Sequence, residues 1–408
     1  MRLSTSLIYQ NGLNGILKQE ATLSRLQEQL ASGRRVLSPA DDPLAASLAV
    51  NLSQTSSMNA TYAANRNTAK QTLGMESNAL ASMVTTLQSV LGRVVQAGGT
   101  LSDADRQALV TELEGARAQM VGLANSTDGN GQFLFSGHDG YTQPVTLKAD
   151  GSVTYGGDSG QRMIQVDQTR QMAGSDVVAD IFGKASSGSM TYIIQADAAN
   201  TGTGQFSTVS FGAPAAGNNV GKDFAISFAE IDGVMHYTAD TVPGSVPPPA
   251  PVPYVEGQSI DMGGVTVKFS GQPADGDSYT VETPKNSNMD MFQTMDDLID
   301  TLGRSATNDP AAAGAINNML ATANKKLSLT LDNVLTVQAS VGARLNEIDA
   351  LDAVGSQRTL SYTKQLSDLE EVNIYSVTSE LLLRKVALDA ASSSFSIIQG
   401  SSLFSRGR

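Results

Sequence analysis

The sequence predicts a multidomain α+β fold, an elongated α-helical rod built from the N- and C-terminal segments with a central, mainly-β inserted domain. Residues 1–136 and 286–400 carry helical periodicity. Residues 140–285 are instead punctuated by Gly, Thr and Pro, and hold 10 of the chain's 13 prolines. Because a narrow apolar stripe on a helix needs cover, we expect the two ends to pair with each other or with a neighbouring copy.

The first helix is expected over about 5–32, where apolar residues recur every seven positions and further leucines widen the stripe. This stripe is the predicted N-terminal assembly interface. Its residues are Leu3, Tyr9, Leu13, Ile16, Leu23, Leu26 and Leu30.

A joint between two helices follows. Gly33 suits the left-handed conformation just past a helix. Asp42 and Pro43 are typical of an N-cap and the first helical position, and an acid there complements the positive end of the next helix. The predicted joint comprises Gly33, Arg34, Arg35, Ser38, Pro39, Asp41, Asp42 and Pro43.

Two further helices are expected before the central segment. One spans roughly 43–98 and stops at a Gly-Gly pair, and the other spans about 103–125 behind a capping box at Ser102 and Asp105. Short alternating runs then predict strands. These runs lie at 133–137, 145–147, 153–155, 163–166, 191–195, 208–211, 224–228, 235–238, 265–269 and 279–282.

Helices resume near Met289. One begins at Pro310 and is expected to run to about Val354, with a bend at Gly355, and the last is expected over 360–398. The last helix carries two rows of seven-residue spacing, one of them interrupted by Arg384. We predict a C-terminal interface, for assembly and for an export chaperone, at Ile374, Val377, Leu381, Leu388, Ala391, Phe395 and Ile398.

Three domains follow from this division of the chain. A terminal pairing and assembly domain comprises 1–42 with 360–408, a helical rod domain comprises 43–138 with 286–359, and an inserted β-rich surface domain comprises 139–285.

Composition excludes several classes of function. A net charge of −13 argues against nucleic-acid binding, since phosphate contacts need an excess of Lys and Arg. Absence of cysteine excludes disulfides and thiol chemistry. No apolar run reaches 18 residues and the start lacks an apolar signal region, so we expect neither membrane insertion nor an ordinary secretory signal. The basic segment 1–36 could also be a transit peptide or membrane-surface helix, which its acids and capped end disfavour.

No catalytic, metal or cofactor site is expected. The two histidines, His138 and His236, lack ligand spacing to each other. The run 157–160, Gly-Asp-Ser-Gly, matches the nucleophile turn of trypsin-like proteases, but the required upstream partners are missing. Neither a Walker motif nor a dinucleotide fingerprint is present.

The joint and both ends resemble the bacterial flagellin-like family, which includes flagellins and hook-associated protein 3. Its N-terminal region is similar to residues 26–43, Leu-x-Glu-Gln-Leu-Ala-Ser-Gly-Arg-Arg-Val-Leu-Ser-Pro-Ala-Asp-Asp-Pro. Residues 341–348, 369–373 and 388–391 resemble its C-terminal helices. Gly131-Gln-Phe-Leu-Phe-Ser-Gly137 is closer to hook-associated protein 3 than to filament flagellin.

The resemblance implies a structural subunit of the extracellular flagellum, secreted through the flagellar type III apparatus with a chaperone on its C-terminal helix. It implies contacts with hook-associated protein 1, with flagellin and with other copies of the chain, at the junction between hook and filament. Two alternatives stay open: a filament flagellin, and a surface-exposed module that binds a host molecule or other ligand through the β insert.

Overall fold

The computed structural model describes residues 5–148, 152–186, 188–245 and 247–404. Long helices occupy both ends of this part of the chain and strands occupy its middle, which confirms the predicted multidomain α+β class. The helices are α1 (Thr5–Ser32), α2 (Pro43–Ala97), α3 (Asp103–Ala124), α4 (Val178–Phe182), α5 (Met291–Leu302), α6 (Pro310–Glu370) and α7 (Ile374–Phe404).

The C-terminal helices divide at a different place from the predicted one. α6 continues through Gly355 to Glu370, and α7 begins at Ile374 rather than at 360. One glycine costs a helix about 1 kcal/mol, too little to end a helix that tertiary contacts support. Gly355 is buried, and its carbonyl accepts a 3.0 Å hydrogen bond from Asn59 Nδ2 on α2.

The strands lie between 145 and 282 and form four antiparallel sheets among the described residues. The strands are β1 (Val145–Leu147), β2 (Val153–Tyr155), β3 (Met163–Asp167), β4 (Arg170–Ala173), β5 (Ile193–Ala196), β6 (Gln205–Phe211), β7 (Asp223–Ile231), β8 (Val234–Val242), β9 (Val252–Pro253), β10 (Ser259–Asp261), β11 (Val265–Ser270) and β12 (Ser278–Glu282). Two of the sheets are hairpins, β1–β2 and β3–β4, and the other two follow the orders β5-β12-β7-β8-β9 and β10-β11-β6.

The prediction of a strand at 133–137 was wrong. Only an isolated bridge between Thr127 and Phe133 forms there. Gly131 and Gly137 both have positive φ, and these turns interrupt an extended run. Short β4, β9 and β10 and the five-residue α4 were not predicted, because such short elements depend on their tertiary partners.

Aromatic rings form the core of the central sheets. Phe228, Phe269 and Tyr279 pack edge to face, with ring centroids 4.9–5.8 Å apart. The buried Tyr279 hydroxyl donates to the Gly204 carbonyl at 2.8 Å. The few aromatic residues of the chain are therefore concentrated where strands need large apolar side chains.

The chain forms two compact units. One comprises Met1–Ala64 and Ala350–Arg408, and the other comprises Asn65–Asp349. The three-domain division made from the sequence stays a prediction. In the part of the chain that the structure describes, no helix combines the length and apolar character needed to cross a membrane.

Candidate functional site

Helices α1 and α7 pair within the first unit through one row of residues from each. Positions in both rows alternate spacings of four and three, which keeps a helix stripe facing a partner helix. These positions are buried or half-buried. The α1 row is Gly12, Ile16, Gln19, Leu23, Leu26 and Leu30, and the α7 row is Val377, Leu381, Arg384, Leu388, Ala391 and Phe395.

We call the contact between these two rows the seam. An aromatic contact lies at one end of the seam. The rings of Tyr9 and Phe395 lie 4.8 Å apart between centroids, and Phe395 covers Gly12. A side chain at Gly12 would meet Phe395 at 3.0 Å from its Cβ, so a glycine allows this close approach.

A polar layer lies within the seam. Arg384 Nη1 donates to Gln19 Oε1 at 3.4 Å across the helix pair, and Nη2 donates to Glu380 one turn earlier at 3.3 Å. A polar pair at a seam position favours one register, because sliding the helices would leave it without partners. The arginine that interrupts the apolar row is thus paired with α1.

The two helix joints are hydrogen-bonded to each other like a short antiparallel ladder. Arg34 and Glu371 form a bridge. On either side of it, the Arg35 amide donates to the Glu370 carbonyl at 2.7 Å, and the Val372 amide donates to the Gly33 carbonyl at 3.0 Å. We call this contact between 33–35 and 370–372 the joint clasp.

Arg35 links the clasp to two helix ends. Its Nη2 donates to the Leu369 carbonyl in the last turn of α6 at 2.7 Å, and its Nη1 donates to Asp42 Oδ2 at 3.1 Å. Asp42 Oδ1 in turn accepts from the Ala45 amide at 3.0 Å, which confirms it as the cap of α2. One guanidinium therefore satisfies an orphan carbonyl and orients a capping carboxylate.

Both acids of the joint are stabilised as anions. Hydrogen bonding from the Ala45 amide, followed by that from Arg35, lowers the pKa of Asp42. The Ser38 amide and hydroxyl donate to Asp41 Oδ2 at 2.8 and 3.1 Å and lower the pKa of Asp41 in the same way. The joint therefore holds both charges through neutral pH.

Large apolar side chains remain exposed on α1, α2 and α7. On α7, Tyr375 is 87% exposed and Leu383 71% exposed. Where such side chains form a contiguous patch, they are typical of surfaces that contact other proteins. The exposed set includes Leu7, Tyr9, Leu13 and Leu17 on α1, Leu44, Leu48 and Val50 on α2, and Ile374, Tyr375, Leu382, Leu383, Val386 and Ile397 on α7.

The predicted interface residues are thus distributed over two sides of these helices. Ile16, Leu23, Leu26, Leu30 and most of the α7 set lie in the seam, whereas Tyr9 and Leu13 are more exposed and Ile374 is exposed. Leu3 and the side chain of Ile398 lie outside the described residues. Gly12 and Gln19 were not predicted, since neither is apolar and their role depends on the partners Phe395 and Arg384.

The protease-like turn is structural. Asp158 Oδ1 accepts from the backbone amides of His138 and Gly160, each at 2.9 Å. The His138 imidazole faces the Gly160 carbonyl through Nδ1 at 3.0 Å. A triad needs the imidazole itself between acid and serine, which this arrangement does not provide. Across the described ranges, no group of three or more His, Asp or Glu is placed to hold a metal ion.

The known proteins that resemble this chain are flagellar proteins. Residues 3–139 match the model of the bacterial flagellin N-terminal helical region. The chain is 30% identical over 409 residues to flagellar hook-associated protein 3 of Salmonella typhimurium strain LT2, covering 100% of both chains. It is 29% identical over 405 residues to the protein of the same name in Escherichia coli K12, covering 99% of each.

Solved structures show the same similarity. A crystal structure of Xanthomonas campestris FlgL superposes with a TM-score of 0.66 at 28% identity, covering 78% of this chain and 99% of that one. The crystal structure of the flagellar junction protein FlgL from Legionella pneumophila gives a TM-score of 0.64 at 26% identity, covering 79% of this chain and 100% of that one.

Proposed function

Because the chain belongs to the flagellar hook-associated protein 3 family, we propose that it is a structural subunit of the junction between the flagellar hook and its filament. A relative of similar fold carries the name flagellar junction protein. The structural observation that supports this role best is the uncovered apolar surface beside the α1–α7 seam. A structural subunit that packs between neighbouring subunits needs apolar contact surfaces of this kind, whereas an enzyme needs a catalytic site.

The proposed assembly contacts use both sides of the terminal helices. The seam residues make the helix pair inside one subunit. The exposed residues, such as Leu383 on α7 and Leu17 on α1, then contact adjacent copies, hook-associated protein 1 on the hook side and flagellin on the filament side. Burial of leucine-sized side chains yields roughly 1.5–3 kcal/mol each, which offsets part of the entropic cost of association.

We also propose secretion by the flagellar type III apparatus, with a chaperone that covers α7 before assembly. α7 is 31 residues long and exposes apolar side chains that need cover in the cell. In this proposal the terminal helices form the assembly domain, the flanking helices form a rod, and the segment 139–285 is a surface domain.

A filament flagellin is the second candidate, and the match of residues 3–139 to a flagellin N-terminal region favours it. Polymerisation distinguishes the two. Purified chain is added to fragments of flagellin filament as seeds, and filament length is followed by electron microscopy, with flagellin as the positive control. A junction subunit stays monomeric alone and does not elongate the seeds. Long homopolymers of the chain contradict the junction role and favour flagellin.

A further inference from the structure

The β3–β4 hairpin is held onto α2 by side chains that bond to its backbone. Asn65 Nδ2 donates to the Gln165 carbonyl and Arg66 Nη1 donates to the Val166 carbonyl, each at 2.9 Å. Arg66 is 2% exposed, so this attachment is internal. Both bonds lie at the β3 side of the hairpin.

A buried carboxyl group forms the attachment at the other side. Glu76 of α2 is fully buried, and its Oε1 accepts from the Asp176 amide, just beyond β4, at 3.0 Å. Its Oε2 has no hydrogen-bond partner among the described residues. α6 contributes Arg344, which forms an ion pair with the Asp176 carboxylate and donates to the Ala173 carbonyl at 3.0 Å.

This site holds two carboxyl groups and one guanidinium. Among the described residues, the charged groups that act on Glu76 are Asp176, from the segment after β4, and Arg344, from α6. Burial first, and the negative charge of Asp176 second, raise the pKa of Glu76 to about 8, although Arg344 acts in the opposite direction. The ion pair joins Asp176 and Arg344, and the surroundings of Glu76 favour its neutral form.

We propose that Glu76 is a proton-controlled latch, which fastens the segment after β4 to α2 when protonated and loosens it when ionised. Ionisation places a buried negative charge next to a second carboxylate that already pairs with the local arginine, and only one of the two Glu76 oxygens has a donor. When the segment opens, Glu76 reaches water and returns to an ordinary acidity. Opening therefore releases a proton.

Linkage gives the pH range over which the latch acts. The pKa of Glu76 is raised in the closed state, so closure is most stable below the ordinary value of 4.5. The opening constant then rises about tenfold per pH unit up to the raised pKa and levels off above it. The segment after β4 is thus attached to α2 more stably in mildly acidic than in mildly alkaline medium.

Hydrogen exchange of the full chain tests the latch at the Asp176 amide, which donates to Glu76. After correction for intrinsic exchange, its protection factor is expected to fall up to about 100-fold between about pH 6 and pH 8 and to level off above. Glu76→Gln, which cannot ionise, is expected to lose this slope. Glu114→Gln, an exposed change on α3, is the matched control and keeps it.

A direct titration keeps the test valid if Glu76→Gln fails to fold. In the unaltered chain, the carbon-13 signal of the Glu76 carboxyl group is expected to titrate with a midpoint at about 8. Asp176→Asn removes the neighbouring charge and should lower that midpoint. A Glu76 carboxyl that titrates near pH 4, or an Asp176 protection factor equal at both pH values, overturns the proposal.

Discussion

Gly12 of α1 lies directly against the ring of Phe395 of α7, and a Cβ at Gly12 would come within 3.0 Å of Cδ2. Three residues further along α1, a Cβ at Gly15 would meet nothing within 4 Å. The two glycines share one helix but differ in what they face. They therefore form a matched pair for measuring how closely the terminal helices must approach.

Gly12→Leu is expected to weaken the α1–α7 pair. Overpacking against Phe395 costs about 1–3 kcal/mol, which equals or exceeds the gain of about 1 kcal/mol from removing a helical glycine. Gly15→Leu keeps that gain without the clash and should stabilise α1. Hydrogen exchange of the α1 amides measures both effects. Equal protection in the two variants would show that Phe395 does not constrain Gly12.

Arg35 should matter much more than its neighbour Arg34. Arg35→Lys loses the fork that reaches both Leu369 and Asp42, and we expect the clasp to weaken by about 1–2 kcal/mol. Arg34→Lys changes an exposed ion pair with Glu370 at 3.8 Å and should cost about 0–1 kcal/mol. Urea unfolding followed by helical circular dichroism compares them, and a larger loss for Arg34→Lys would reverse this assignment.

Asp42 combines a cap with an ion pair, and two substitutions separate these roles. Asp42→Asn retains an oxygen for the Ala45 amide but loses the charge, whereas Asp42→Ala loses both. We expect the thermal midpoint of the helical transition to fall by a few degrees in Asp42→Ala and by less in Asp42→Asn. Equal falls in the two variants would assign the effect to charge alone, and a larger fall for the asparagine variant would contradict the role of the cap.

Acid should loosen the same joint. The pKa values of Asp41 and Asp42 are lowered in the folded chain, so their stabilisation is complete above the ordinary value of 3.8 and is lost as pH falls through the lowered values. Exchange of the Ala45 amide, corrected for intrinsic rate, is expected to accelerate below about pH 3.8 in the unaltered chain. The Asp42→Ala variant should show less acceleration, and an identical response would exclude Asp42 as the titrating group.

Substitutions at Leu388 and Leu383 test the pairing of the terminal helices and the assembly contacts separately. Leu388 is half-buried in the seam and Leu383 is 71% exposed on the same helix. Leu388→Asp places a charge in the seam and should destabilise the pair by about 2 kcal/mol or more. Leu383→Asp should leave exchange protection of α1 unchanged but reduce motility of a complemented strain. Normal motility with Leu383→Asp would remove this surface from the proposed interface.

Local signals in the sequence predicted much of the fold. The glycine at 33, the cap at Asp42 and the heptad spacing of both terminal helices are each determined within a few residues, and all appear in the structure. The predicted break at Gly355 failed because packing against Asn59 outweighs a weak local preference.

The candidate site was harder to predict, because it depends on pairs that are distant in sequence. Arg35 and Leu369 are 334 positions apart, and Gln19 and Arg384 are 365 apart. Spacing within one helix identifies an apolar stripe, but it does not show which residues face a partner in the same chain. Gly12 shows the limit most clearly, since its importance appears only when Phe395 is placed above it.

The most direct test of the junction role is electron microscopy of a strain that lacks this gene, together with an assay for flagellin in the medium. The proposed role predicts intact hooks without filaments, flagellin lost to the medium, and recovery of filaments when the full chain is supplied. Normal filaments on cells without the chain would contradict a junction role.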